Sequence, residues 1–325
     1  MSWQSALACW YLRRQFRPAT LETELNVEAA RAVTAKRVWS PKVPPGWHLR
    51  ELYGPGEPLR GEWLEPAVTG TIDTAGATGT RGTPTILYMH GGGYYFCSPR
   101  SHRSLVFGLA TRAGAPAFSL DYRLAPEHRF PAALDDAMTA YRYLIAGGTP
   151  AGSIVIAGDS AGGGLALATL VALRDAGDPL PAGGLLFSPW TDLAASGASI
   201  RTNDGVDPMF SGSAVGRAAR VYLGDAPANH PYASPVYADL QGLPPLFIQA
   251  GSTEVLLDDS RRVAENALAA GVAVELQVWP KMPHVWQIFA PFIPEARRAL
   301  DGAAGFVREV TATRTGQPSS AMSIA

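Results

Sequence analysis

Ser160 stands in Gly158-Asp159-Ser160-Ala161-Gly162, directly after the apolar run Ile154-Val155-Ile156-Ala157 and before a helix-like run with Leu165, Leu167, Leu170, Val171 and Leu173. Strand, Gly-x-Ser-x-Gly and helix in that order spell a nucleophile elbow, a sharp turn that lifts a serine hydroxyl above the end of a sheet. Small residues at Gly158 and Gly162 let the chain pass close to itself, and the helix that follows aims its positive end at the serine. A second strand-like run, Thr85-Ile86-Leu87-Tyr88-Met89, ends in His90-Gly91-Gly92-Gly93. Uncovered N–H groups of such a glycine run, with that of Ala161 after the serine, can hold an oxygen that becomes negative during acyl transfer. Neither glycine stretch has a phosphate-binding spacing. His90 reads as a loop organiser bonded to backbone.

A serine hydroxyl is a weak nucleophile at neutral pH and needs a general base, itself oriented by an acid. Of six histidines, His284 alone follows a strand-like run near the end of the chain, Ala273 to Trp279. The order serine, acid, histidine puts the base last. The acid then belongs between them, after the run Leu246-Phe247-Ile248-Gln249-Ala250, where Glu254, Asp258 and Asp259 compete. Asp258 and Asp259 fall in the first turn of the helix expected to Ala270, where unpaired N–H groups stabilise carboxylates. Glu254 lies in the loop just past the strand end and is favoured, with Asp258 as the alternative.

These residues, together with Asp121 to His128 (Asp-Tyr-Arg-Leu-Ala-Pro-Glu-His), Phe130-Pro131-Ala132-Ala133 and Ser188-Pro189-Trp190-Thr191-Asp192, resemble the hormone-sensitive-lipase-like (bacterial family IV) esterases and lipases of the α/β-hydrolase fold. The resemblance runs from about residue 45 to the end. It implies a mostly parallel central sheet with helices on both faces and a helical cap, made from about 1–45 and about 190–240, on a single domain spanning 1–325. The family's acid opens a segment similar to Asp-Pro-Leu-x-Asp, matched here by Glu254-Val255-Leu256-Leu257-Asp258, which supports Glu254 with glutamate in place of the commoner aspartate. The resemblance also implies Gly92 and Gly93, with Ala161, as oxyanion donors. It places Asp207 to Phe210 in the cap, with Tyr94, Met209, Phe210, Trp3, Trp10 and Tyr11 available to wall an acyl or alcohol pocket. Asp121, Arg123 and Asp192 read as buried polar partners tying loops together.

The activity implied is that of a serine carboxylesterase acting on short- to medium-chain acyl esters through an acyl-enzyme, with no metal or organic cofactor. The same intermediate serves a lactone, and the motifs are also similar to those of monoterpene lactone hydrolases. Acyl transfer to another alcohol uses the same site. The fold also occurs as a non-catalytic ligand-binding receptor when the three residues are broken, but Ser160, Glu254 and His284 are all present.

Placing these residues requires alternating elements. Strands are expected near 85–89, 116–121, 153–157, 184–188, 245–250 and 273–279, and helices near 102–114, 131–146, 163–176, 260–270 and 295–310. That rhythm predicts a parallel sheet covered on both faces, extended at an antiparallel edge by strands near 47–53 and 60–65. Residues 67–84 read as a surface loop, a helix is expected around 214–223, and the N-terminal segment reads as an amphipathic helix. The 325 residues carry a formal charge of −1, which gives the whole chain no attraction to nucleic acid or anionic lipid. Cys9 and Cys97 offer neither a disulfide framework nor a metal cluster, and Cys97 reads as a packed thiol. No apolar run is long enough to span a membrane, and the chain reads as cytoplasmic. The strand at 273–279 is expected at the sheet edge, where it could pair with its copy in a homodimer.

Overall fold

A computed structural model describes residues 1–37, 40–67 and 83–314. Helices α1 (Trp3–Gln15), α2 (Arg17–Leu21) and α3 (Val27–Arg37) come first, followed by β1 (Trp47–Leu52) and β2 (Gly61–Pro66). The alternating part follows as β3 (Thr85–Met89), α4 (Pro99–Ala113), β4 (Ala117–Leu120), α5 (Ala132–Ala146), β5 (Ile154–Asp159), α6 (Ala161–Asp175) and β6 (Gly183–Phe187). After α7 (Ser199–Thr202) and α8 (Gly212–Leu223) it resumes with β7 (Leu246–Gly251), α9 (Leu257–Ala269), β8 (Val274–Trp279) and α10 (Pro294–Arg314).

The eight strands form one sheet in the order β1-β2-β4-β3-β5-β6-β7-β8. Strands β3 to β8 are parallel, while β1 pairs with β2 and β2 with β4 in antiparallel register. Every residue of β3, β4, β5, β6 and β7 is buried, because helices cover both faces. Alternate residues feed two cores. Leu87, Met89, Ile154, Ile156 and Ile248 pack with α5, α6 and α9 on one face. Ile86, Tyr88, Val155, Ala157 and Phe247 pack with α4 and α10 on the other. Strand β8 closes one edge of the sheet, as its half-buried alternation requires.

Three expectations are corrected. Helix α4 begins at Pro99 because Ser98 and Ser101 form a reciprocal capping box and proline suits the first turn. Helix α6 begins directly after Ser160, so no spacer separates the elbow from the helix. The N-terminal segment is three helices, and α1 turns Ser5 and Leu12 inward while Trp3, Leu7 and Trp10 face solvent. The loop expected at 67–84 falls mostly outside the described residues.

The first helices are fastened to the segment between β6 and β7. Arg13 donates to the carbonyls of Gly205 and Val206, each at 2.8 Å. Arg17 donates to those of Asp207 (3.1 Å) and Phe210 (2.7 Å). Arg31 bridges Glu127 and the Tyr95 and Ala125 carbonyls, which ties α3 to the glycine loop.

Candidate active site

Ser160 directly follows β5 with φ 53° and ψ −122°, a positive-φ conformation that non-glycine residues adopt only when neighbours enforce it, at a cost of about 1–3 kcal/mol. Enforcement comes from both sides, since Ser160 N–H donates to the Phe187 carbonyl (2.9 Å) and its own carbonyl accepts from Trp190 N–H (2.8 Å). The flanking glycines are obligatory: a Cβ on Gly158 would overlap the Gly162 carbonyl, and one on Gly162 would overlap that of Met89. The serine is half-buried, and its hydroxyl bonds to no described residue. Ala161 N–H, first in α6, has no acceptor within its helix and points with the positive helix end toward the serine.

Glu254 and His284 are brought together in the buried loops after β7 and β8, with His284 Nδ1 at 2.8 Å from Glu254 Oε2. Glu254 Oε1 accepts from Ser188 Oγ (2.7 Å) and from Gly251 N–H. Burial pushes the Glu254 carboxyl up, against the opposing pull of His284 and these donors. Three donors converge on its two oxygens, so it acts as an ionised acceptor. Burial alone would lower His284, but the Glu254 carboxylate, helped by Asp207 and Asp159, holds the imidazole above its ordinary value. An acceptor at Nδ1 fixes the neutral tautomer with the proton there, which leaves Nε2 as a bare base. Nε2 is buried without a hydrogen-bond partner. The serine and histidine are therefore not joined by a hydrogen bond, although Ser188 Oγ, adjacent to the Phe187 anchor of Ser160, also accepts from Val285 N–H (3.1 Å).

In the glycine loop, Gly92 adopts φ 114°, and a Cβ there would collide with the Phe96 carbonyl. Among the described residues, neither Gly92 N–H nor Gly93 N–H donates to a protein acceptor. The loop is held from below by Asp159, which sequence reasoning passed over as the variable position of the elbow. Its buried carboxylate accepts from Tyr88 Oη (2.7 Å), Gly91 N–H (3.0 Å) and His102 Nε2 (3.1 Å). Burial would raise Asp159, but the His102 charge and these hydrogen bonds keep it below its usual range. Burial would likewise depress His102, and Asp159 holds it above its usual value. His90 differs: burial, with His102 beside it, pushes it down to about 3, so it stays neutral. It stacks on Tyr122 and bonds through Nδ1 to the Gly91 carbonyl (2.7 Å), a backbone partner as expected for a loop organiser.

His102→Ala would strand the Asp159 charge, and we expect it to destabilise the protein by about 3–5 kcal/mol in urea unfolding. The wild-type contribution has two limits. With Asp159 depressed it is lost as pH falls through the folded value of the acid, and with His102 raised it is lost as pH rises through that of the histidine. The gap between wild type and variant should accordingly close at both ends of the pH range.

The competing acids are placed elsewhere. Asp258 accepts from Ser199 N–H at 2.8 Å, and Asp259 accepts from Thr191 and Asp192 N–H, each at 2.8 Å. Burial pushes Asp259 up to about 8. Of the three expected buried polar partners, Asp192 is buried and ties its loop to Arg262 of α9 (2.6 Å), whereas Arg123 with Asp136 (2.8 Å) and Asp121 with Arg60 (3.5 Å) form ion pairs at the surface, which corrects that reading for Arg123 and Asp121. Of the pocket residues, Phe210 sets its ring edge-to-face on His284 with centroids 5.1 Å apart. Met209 is half-buried beside it, and Tyr94 is in the core, stacked on Tyr222 at 3.7 Å. Trp3, Trp10 and Tyr11 face solvent, which corrects their assignment to the pocket wall. Asp207 was read only as part of a cap. Its buried carboxylate binds Met209 N–H (2.7 Å), Phe210 N–H (3.1 Å) and Val255 N–H (2.9 Å), and so couples the Phe210 segment to the Glu254 loop. Cys97 is half-buried, and burial pushes its thiol up to about 12, which leaves it protonated at neutral pH.

The sheet order, with a strained serine at the carboxyl end of a central strand and the acid and histidine loops beside it, defines the α/β-hydrolase fold, whose family model matches residues 86–288. Within that class the chain belongs to the bacterial hormone-sensitive-lipase-like esterases and is a carboxylic ester hydrolase. It is 50% identical over 227 residues to an acetyl-hydrolase of Streptomyces hygroscopicus, which covers 70% of this chain and 76% of that protein. It is 38% identical over 225 residues to an esterase of Acinetobacter venetianus, covering 69% and 74%. A crystal structure of an esterase from the bacterial hormone-sensitive lipase family superposes with a TM-score of 0.84 at 39% identity, covering 96% of this chain and 99% of that one.

Proposed function

We propose that the chain is a serine carboxylesterase for short- to medium-chain acyl esters, with Ser160 as nucleophile, His284 as base and Glu254 as its orienting acid. The observation that carries this reading is the bare, buried Nε2 of a histidine whose Nδ1 is held by a carboxylate, in the loop neighbourhood of a strained serine with a free hydroxyl. His284 Nε2 takes the Ser160 proton as Oγ bonds to the ester carbonyl carbon. Gly92, Gly93 and Ala161 N–H groups receive the resulting oxyanion; one such donor is worth about 2.7–4 kcal/mol. The carbon–oxygen bond to the alcohol then breaks, and the alkoxide takes the proton from His284. Water, losing its proton to the same nitrogen, then bonds to the acyl carbon; the bond from that carbon to Ser160 Oγ breaks, Oγ takes the proton back from His284, and the acid is released.

Residues 1–37 and the segment carrying Phe210 are assigned as a cap over this site, with Phe210 and Met209 on its inner wall. The acetyl-hydrolase name of a half-identical relative supports a small acyl group. The test is hydrolysis of p-nitrophenyl esters from acetate to palmitate, with chelator present. Turnover is expected to peak among the short to medium chains. A folded protein that turns over none of them would contradict the reading and favour a lactone substrate or a binding role.

A further inference from the structure

A helix lying on a globular protein normally buries its large apolar residues; α1 buries Leu12 and packs Ala8 on the core but leaves its other large apolar residues outside. Its inward side carries Ser5 and Leu12, and its N-terminal end is pinned to α10 by Ser2 Oγ and Ser5 Oγ, which donate to Glu295 Oε2 at 2.8 and 2.9 Å. Its other end is pinned by the Arg13 hydrogen bonds to Gly205 and Val206. Held at both ends, the helix presents Trp3 (72% exposed), Leu7 (55%) and Trp10 (54%) at three- and four-residue spacing, with Tyr11 (43%) beside them. Phe292, three residues before the Glu295 that holds Ser2, and Val206, whose carbonyl accepts from Arg13, are exposed as well.

Cations outnumber carboxylates on this face, where Arg13, Arg14 and Arg17 stand against Glu295 and Asp204. Residues 1–21 contain Arg13, Arg14 and Arg17 and no acidic residue. Ser2 and Ser5 hold Glu295 as a carboxylate at the start of the helix, and Arg17 pairs with Asp204, which leaves Arg13 and Arg14 as cations without a carboxylate partner among the described residues. The Arg14 guanidinium lies 5.1 Å from the Trp10 ring, so cation and indole share one site. Indole rings and arginines on one helical face match the boundary between lipid headgroups and acyl chains, where rings sit among the glycerols and guanidinium groups pair with phosphates. Pairing of the stripe with itself across a two-fold axis would offer these arginines no carboxylate.

We propose that α1 docks this chain on the surface of an anionic phospholipid bilayer, with Trp3, Leu7 and Trp10 inserted and Arg14 at the phosphates. Because Arg13 and Arg17 tie the helix to residues 205–210, docking brings the Phe210 side of the active site to the lipid. The formal charge of −1 on the whole chain is no obstacle, since screening confines the attraction to charges within about 10 Å of the surface.

The test is flotation of the full chain with vesicles of equal parts phosphatidylcholine and phosphatidylglycerol, and with phosphatidylcholine alone. Wild type should float with the anionic vesicles, less so at high salt. Trp3→Ser/Trp10→Ser and, separately, Arg14→Glu should each lower binding by about tenfold or more, with thermal melting unchanged. Wild type that stays behind with anionic vesicles would overturn the proposal, as would variants that float equally well. Light scattering that shows a wild-type dimer dissolved by Trp3→Ser/Trp10→Ser would also overturn it, by giving the face to a second copy.

Discussion

Ser160→Ala is expected to lower kcat on p-nitrophenyl esters by about 10⁶-fold, the size of loss seen when a nucleophile is removed from a triad that works as a unit. Residual turnover would come from substrate binding and from the Gly92, Gly93 and Ala161 donors, which the substitution leaves in place. The fold should survive. Alanine at φ 53° carries the same backbone strain as serine, and the anchoring bonds from Phe187 and Trp190 are backbone bonds. Steady-state kinetics on purified protein, with thermal melting as the control, reads both expectations. A variant that keeps more than a small fraction of wild-type kcat would remove Ser160 from the mechanism.

Glu254→Gln has the second largest expected effect and separates the acid from its neighbours. Gly251 N–H and Ser188 Oγ both donate to Oε1, so a glutamine would place its carbonyl there and turn its NH2 toward His284 Nδ1. The imidazole would then have to accept at Nδ1 and carry its proton on Nε2, the wrong tautomer for a base. A loss of about 10³–10⁴-fold in kcat follows. Asp258→Asn keeps the oxygen that accepts from Ser199 N–H, and its effect should stay within a few-fold. The pH profile gives an independent check. His284 must be neutral to act, so kcat/KM falls as pH drops through its folded value, which the Glu254 charge raises. In Glu254→Gln that acid limb should move to lower pH while the plateau collapses. Greater damage from Asp258→Asn, or an unmoved limb, would transfer the role of the acid.

The sheet was legible because β3 to β7 are buried on both faces and so read as predominantly apolar runs between turn residues. Residues named for the site were legible where chemistry leaves a local signature: the glycines around Ser160, the glycine run after β3, and a histidine after the last strand. Residues that work through partners distant in sequence were not. Asp159 meets His102 and Gly91 only once α4 packs under the elbow. Ser188 reaches Glu254 and Val285 only because β6 ends between Ser160 and β7. Glu254, Asp258 and Asp259 share one short segment, and burial and direction separate them there more than residue type does. Helix α1 misled for a different reason. Its apolar residues stand on two sides, and Ser2, Ser5 and Arg13 fix the Leu12 side inward, which leaves Trp3, Leu7 and Trp10 outside.

The central claim, that Ser160 is activated by His284 and attacks acyl carbonyls, is tested most directly by stoichiometric labelling with diethyl p-nitrophenyl phosphate, followed by peptide mass mapping. The account predicts one diethylphosphoryl group per chain, located on Ser160, with esterase activity lost in proportion and no labelling of His284→Ala on the same timescale. Modification at another residue, or hydrolysis of esters that continues in fully labelled protein, would contradict it.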